Sequence, residues 1–528
     1  MQFYENVDEY KKTSCTSSNP GQSFLWSSLM SDFNWKFLRI VLSWQGLFTV
    51  IITNCLLILN LATKPAIAQN GQDCWVSSKA TQEKENLRLL AFKGNKEAAS
   101  RYQKLLKQHT QELKTCRSQT WPQTQAIWLR LYPCDIQPGA VDQIMDRIVN
   151  QGYNQVYLEV FYDGRVLLPA AANSTVWPAV VRLPGAEKFD LLASAIKKGK
   201  QRGLKVYAWM FTNNFGYTYA QRADRQNAIA RNGKNQTSLS VVEDSSQVFI
   251  DPYNTQAKTD YYRMVQQVIR RRPDGVLFDY VRYPRQTGID SIATKVHDLW
   301  LFTPATQEVL FSRAKNAKGL ELIRRFLTKG YVSAGDIAEI DKRYPQEDEP
   351  LWEGRIPPKK QKSLPSPGEK QRVLQLDLWL LSVAHAMQGI LDFVTLASYP
   401  AKQKGIPAGA VFFPEGNQAL GQGYDSRLQP WDKFPSTLEW HPMSYANCGN
   451  ASCIVAQVQQ VLKMAQPGTK VIPALAGKWG ESISNRPPLE VQMQALRQLS
   501  PQIKGVSHFA YSWQHPEHDG ERKACNIR

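Results

Sequence analysis

The chain has 528 residues, 43% of them hydrophobic and 11% aromatic, with 15 Trp and 21 Tyr. Such a composition supplies a sizeable core and excludes a wholly disordered chain. The net charge of +18 raises a nucleic-acid reading. Against it, the Lys and Arg are spread over helical segments and loops, no zinc-finger or RNA-binding motif is present, and the densest run, Lys359, Lys360 and Lys362, lies in a Pro-rich stretch. The expectation is a solvated basic surface that attracts anionic polymers of a cell envelope, with no nucleic-acid partner.

Residues 1–68 read as a leader. Lys36 and Arg39 precede an apolar stretch from Ile40 to Leu61, and Ala66-Ile67-Ala68 places small residues at the two positions a signal peptidase reads. The polar stretch before it is long, and Met30 offers a second start. A retained membrane anchor is the alternative, because a largely apolar stretch of 22 residues can span a bilayer, although Gln45 and Asn54 weaken it. Either way the expected location is periplasmic or extracellular. Without Cys15 and Cys55 of the leader, six Cys remain, an even number that suggests disulfides in an exported chain. Cys448 with Cys453 brackets a short loop, Cys74 with Cys116 flanks a helical segment, and Cys134 is left to join Cys525; free thiols are the alternative. No Cys/His spacing fits a zinc site, so neither metal nor cofactor is expected.

Residues 69–124 form a small helical appendage, two helices broken at Gly94. From residue 125 to 528, short apolar runs alternate with amphipathic stretches, the pattern of βα units around a parallel sheet. Eight strands are predicted, at 126–132, 155–164, 204–212, 275–284, 392–400, 438–445, 470–477 and 505–513. Most of the helical stretches between them end in Gly or Pro just before the next strand. The prediction is an α/β fold, a (β/α)8 barrel. Between strands five and six the stretch 405–435 reads as loop. An insertion at 285–371 follows strand four; its first part reads as helices forming a lid or cleft wall, and 357–370 as a flexible linker.

Charged residues at the C-terminal ends of barrel strands converge on one cavity. Asp279 follows the apolar run Gly275-Val276-Leu277-Phe278, with Arg282 and Tyr283 close behind, and Arg282 is expected to hold Asp279 ionised by opposite charge. Glu159 and Asp163 share one face of strand two, although Asp163 also suits a turn before Gly164. Asp251, before Pro252, suits a helix N-cap as well as a site. Glu439, His441 and His508 read as structural.

The segments QVYLEVFYDGRVLLPA, GLKVYAWMFTNNF, FIDPYN and DGVLFDYVRYP, in this order and spacing, resemble the bacterial family 10 glycosylhydrolase-like proteins over roughly residues 125–515. The family includes exported enzymes acting on peptidoglycan glycan strands. The resemblance implies a TIM barrel, a sugar-polymer substrate and functional residues at Asp163, Trp209, Asp251 and Asp279. One departure matters: the family commonly carries a second acid directly after the strand-four Asp, and here that position is Tyr280.

On this reading the protein is an exported glycoside hydrolase that cleaves a polysaccharide, peptidoglycan glycan among the substrates the resemblance implies. Asp279 serves as nucleophile or base and Glu159 or Asp163 as proton donor, while Trp209, Tyr280, Tyr445 and Trp513 stack on sugar faces. Asp251, Arg282 and Tyr283 complete the expected binding site. A barrel that binds carbohydrate in the cell envelope without cleaving it is the alternative.

Overall fold

The computed structural model describes residues 73–357 and 366–525; the proposed signal peptide or anchor lies outside them. Eight parallel strands form the centre: β1 (Thr124–Leu129), β2 (Gln155–Tyr162), β3 (Lys205–Phe211), β4 (Gly275–Asp279), β5 (Ala408–Phe412), β6 (Glu439–Ser444), β7 (Ala474–Ala476) and β8 (Gly505–Phe509). Each pairs with the next, and β1 pairs with both β2 and β8, so the sheet closes into a barrel. Nearly all strand residues are buried, because the ring's interior holds side chains and its outside is covered by helices. The interior is strongly aromatic: Trp128 meets Tyr157 and Trp209 edge-on, each at 4.8 Å, and Tyr157 meets His441 at 5.3 Å. Gly275 makes room for this filling, since a Cβ there would stand 2.3 Å from the ring of Tyr207.

Seven of the eight predicted strands fall where the sequence pattern puts them, six with shorter or equal ends and the first shifted to begin at Thr124 rather than Ala126. The fifth does not. Residues 392–400 lie inside a helix that runs from Pro367 to Gln403. Its buried positions there, Phe393, Val394, Ala397, Pro400 and Ala401, follow helical spacing, and that periodicity outweighs the strand-favouring Val, Thr and Tyr. The strand is instead Ala408–Phe412, inside the stretch read as loop, where its small residues Ala-Gly-Ala give little apolar signal. No α-helix connects β5 to β6; a hairpin of Ala419–Leu420 and Gly423–Asp425 stands there and pairs with Ile292–Ala293 of the insertion. The long helix begins at Pro367, fixed by a capping box of Ser366 and Glu369, so helix replaces the last part of the expected linker.

Outside the barrel, helices α1 (Ser78–Phe92) and α2 (Lys96–Gln119) form a hairpin turned at Gly94. Arg202 anchors it: its guanidinium pairs with Asp142 and Asp146, and Tyr102 of α2 donates to Asp146 at 2.6 Å. Disulfides join Cys74 to Cys116, Cys134 to Cys525 and Cys448 to Cys453, the three expected pairs. They are consistent with an exported protein. Three helices of the insertion (Pro304–Ser312, Ala317–Lys329 and Ala334–Arg343) pack beside the barrel.

Candidate active site

The parallel strands all end on one side of the ring, and the loops that follow them enclose a cavity of about 170 Å3. Asp279, the last residue of β4, lines it. Its side chain is fixed from two directions: Oδ2 accepts from Nε1 of Trp209 at 3.0 Å, and Oδ1 accepts from the backbone N–H of Tyr280 at 2.6 Å. Burial pushes its pKa up to about 6, against smaller opposing effects of these two donors and of Arg282. The expected effect of Arg282 is thereby corrected. Its guanidinium lies 4.6 Å from the centre of the Tyr280 ring and donates to the backbone oxygen of Tyr283, and its pull on Asp279 is weaker than desolvation.

Tyr280 has φ +52°, a left-handed turn that ends β4 and lets its ring pack against Phe211 at 4.3 Å while still lining the cavity. Trp209 and Tyr445 also line it, as the sequence suggested. Trp128, Phe413, Met443 and Phe509 complete an apolar wall that the sequence reading left unassigned. They occupy ends of strands β1, β5, β6 and β8 or the positions just after, and strand-end position was the available signal.

The strand-two acids lie elsewhere. Glu159 is buried and accepts from Nε and Nη2 of Arg130, the latter at 3.1 Å. It lines a separate, small recess, with Trp128, Trp209 and Phe509 standing between that recess and the main cavity. Burial raises its pKa to about 7, although Arg130 opposes the shift. Asp163 occupies the turn with φ +48°, followed by Gly164 at +68°; its Oδ2 is 3.8 Å from Arg130 and its Oδ1 accepts from Ser246 at 3.5 Å. It does not line the main cavity.

The acids that share the cavity with Asp279 are Glu243 and Asp244, from the long loop after β3. Asp244 is held by the backbone N–H of Ser246 at 2.9 Å and Nε2 of Gln247 at 3.2 Å, whereas Glu243 is exposed at the mouth. An acidic pair on a loop at the strands' C-terminal face was the signal that could have found them.

Three further expected residues stay outside the cavity. Asp251 is fully buried and takes bonds from Thr303 and Thr306, both at 2.5 Å to the hydroxyls, so it anchors the insertion at the start of helix Pro304–Ser312. It is not the N-cap of the following helix, a place held by Asn254. Tyr283 is buried against the long helix, its hydroxyl donating to the oxygen of Ala386 at 3.3 Å. Trp513 packs edge-on against Phe509 at 6.2 Å, behind the wall. From the insertion only its first residues, Arg285 and Thr287, line the cavity; its helices do not.

Residues 126–300 match the model of the family Glycosyl hydrolase-like 10. That span holds β1 to β4, the loop with Glu243 and Asp244, and Asp279 itself, and it bears out the resemblance carried by the four segments. No curated protein matches the chain. Similar solved structures include a GH18 chitinase from Pseudoalteromonas aurantia, 10% identical, covering 76% of this chain and 98% of that one with a TM-score of 0.34. The GH20 modules of the pneumococcal exo-beta-D-N-acetylglucosaminidase are 10% identical, covering 76% and 83%, with a TM-score of 0.36. A hypothetical protein from Ruminiclostridium thermocellum is 13% identical over 30% of this chain and 77% of that one, with a TM-score of 0.23. The closed ring of eight parallel strands, with its own pairing, carries the fold assignment. Among the described residues no group of His, Cys, Asp and Glu could hold a metal ion.

Proposed function

We propose that the protein is an exported glycoside hydrolase that cleaves a polysaccharide, with Asp279 as its proton donor. The observation that carries this reading is a buried carboxyl at a barrel strand's C-terminal end, facing an aromatic-walled cavity, with its pKa pushed up to about 6. Such a group is still partly protonated at mildly acidic to neutral pH, which suits it to give a proton to the leaving oxygen as the C–O bond breaks. This reverses the role expected from the sequence, in which Asp279 was nucleophile or base.

The second carboxylate is then Asp244 or Glu243. One of them attacks the anomeric carbon or takes a proton from the water that does so. Trp128, Trp209, Tyr280 and Tyr445 offer ring faces and edges to the apolar faces of sugars. Peptidoglycan glycan strands are the first substrate to try, on the strength of the family resemblance, and the disulfides fit work outside the cytoplasm.

A second reading is favoured by one feature: Tyr280 directly follows Asp279, so β4 presents no adjacent acid pair. A barrel that binds glycan without cutting it would look the same around the aromatics. Incubating the protein with peptidoglycan, with and without stem peptides, and with neutral glycans, then analysing products by mass spectrometry, separates the two. New reducing ends support hydrolysis. Retention of intact glycan by the protein with no shortened product supports the binding barrel.

A further inference from the structure

A guanidinium taken out of water is normally matched by a carboxylate, because an unpaired buried charge is costly. Asp142 and Asp146 match Arg202 in this way, Asp135 matches Arg522, and Asp425 matches Arg427 through two bonds of 2.6 and 2.7 Å. Arg117 and Arg486, also buried, each give three or more bonds to backbone or amide oxygens. Arg282 departs from both patterns. It is 5% exposed, yet among the described residues no carboxylate pairs with it. One N–H group goes to the oxygen of Tyr283 at 2.9 Å, and the flat face lies near the rings of Tyr280, Phe249 and Phe413 at 4.6, 5.4 and 5.7 Å. A guanidinium has five such donors in a planar fork.

Two cations, Arg427 and Arg285, act on Arg282 against the one carboxyl of Asp279, while Glu243 and Asp244 line the cavity without a bond to it. Arg427 approaches the same Phe413 ring at 4.6 Å, and Arg285 joins Arg282 in lining the cavity. Burial first, and then these like charges, lower the Arg282 pKa to about 10, which leaves it protonated at neutral pH. Asp279 supplies some opposite charge, but its own buried carboxyl titrates near 6 and its two oxygens are already engaged by Trp209 and Tyr280. The aromatic rings stabilise the cation in part. Apart from the N–H given to Tyr283, they leave the plane's edge, where an anion would bind, with no acceptor among the described residues.

We infer that the cavity receives an acidic sugar, and that Arg282 is the receptor for its carboxylate. The planar fork matches a carboxylate through two parallel N–H···O bonds, and the short path from Arg282 to Asp279 along the end of β4 sets the acidic substituent and the glycosidic oxygen on one ligand. Arg285, on the same wall, adds attraction for an approaching anionic chain. The inference rests on the glycosidase reading for the ligand being a sugar. The assignment of charge rests on Arg282 itself.

Calorimetric binding tests it without turnover, using the Asp279→Asn protein so that ligand is not consumed. The probes are an oligosaccharide containing uronic acid, its carboxyl-reduced neutral counterpart and a sulfated counterpart. The uronic form is expected to bind at least tenfold tighter than the reduced form, with Arg282→Met abolishing that preference and Arg282→Lys keeping part of it. Because Arg282→Met could disturb packing, a salt titration of the Asp279→Asn protein with native Arg282 is a second reading, in which affinity for the uronic form is expected to fall with salt while affinity for the neutral form holds. Equal affinity for uronic and reduced forms overturns the inference and leaves the glycosidase reading standing, as does an unchanged preference in Arg282→Met. Tighter binding of the sulfated form overturns the carboxylate assignment. Failure of all three to bind, with no cleavage of any glycan by the native protein, overturns both.

Discussion

The indole of Trp209 donates to Oδ2 of Asp279 over 3.0 Å, and this bond joins neighbouring strands at the end of the barrel where the cavity opens. It directs the carboxyl while the surrounding apolar wall raises its pKa. Position and proton affinity therefore come from the same few residues.

If Asp279 is the proton donor, activity requires its protonated form. Its pKa of about 6 lies above the ordinary aspartate value of 3.8, so the rate is expected to fall roughly tenfold per pH unit well above pH 6, while the need for an ionised second carboxylate limits it on the acid side. A kcat profile between pH 4 and 9 checks this. A rate that rises through pH 6 and stays high would assign Asp279 the base role instead.

The same shift bears on stability. A carboxyl whose pKa is raised on folding favours the folded state in its protonated form, so the protein loses stability as pH climbs from about 4, the unfolded value, to about 6, and no further beyond. Asp279→Asn removes that penalty. At pH 7 it is expected to be as stable as the native protein or more so, by up to about 3 kcal/mol, with the advantage vanishing near pH 4. Thermal melts of both proteins at the two pH values measure it.

Glu159 should behave differently. Replacing it with Gln removes the closest carboxylate from Arg130 and leaves Asp163, 3.8 Å away, among its partners. A loss of about 2 kcal/mol or less is expected at pH 7, because the cost of depriving Arg130 of its closest carboxylate is partly offset by removing a carboxyl whose pKa burial raises to about 7. The loss should appear in the denaturation midpoint, while kcat falls much less than in Asp279→Asn. A collapse of kcat with unchanged stability would return Glu159 to the proton-donor role.

For the second carboxylate, Asp244→Asn and Glu243→Gln are the informative pair. One is expected to lower kcat by about 100-fold or more and the other only a few-fold, without change in melting temperature. Azide rescue of the Ala variant at the sensitive position, giving a glycosyl azide of inverted configuration, would mark that residue as a nucleophile. Two near-native variants would remove both from the chemistry.

The bridge from Cys134 to Cys525 ties the segment after β1 to the end of the described chain across a sequence separation of 391. Its neighbour Arg522 pairs with Asp135 inside the same contact. Replacing both Cys by Ser is expected to cost on the order of 3 kcal/mol, read from chemical denaturation of the folded variant.

The fold was legible because barrel strands are buried on both faces and therefore read as apolar runs at regular spacing. β5 escaped because Ala408, Gly409 and Ala410 are too small to mark a strand, while the helix before it carries Val394, Thr395 and Tyr399. Asp279 was legible because an acid directly after Val276-Leu277-Phe278 has no business in a strand core. Its acidic neighbours were not. Glu159 and Asp163 looked closer along the chain, but inward-pointing Trp128 and Trp209 wall off Glu159, and the turn at Asp163 carries its carboxylate toward Arg130 and Ser246. Glu243 and Asp244 reach the cavity through a loop whose path follows from tertiary contacts, such as the bond from Phe215 N–H to the oxygen of Val248.

In the proposed reaction Asp279 delivers a proton to a glycosidic oxygen. The most direct measurement is the rate of new reducing ends on purified glycan strands, native protein against Asp279→Asn, with circular dichroism confirming that both are folded. A rate lowered by at least about 100-fold in a folded Asp279→Asn protein supports that role. Equal rates for the two proteins contradict it.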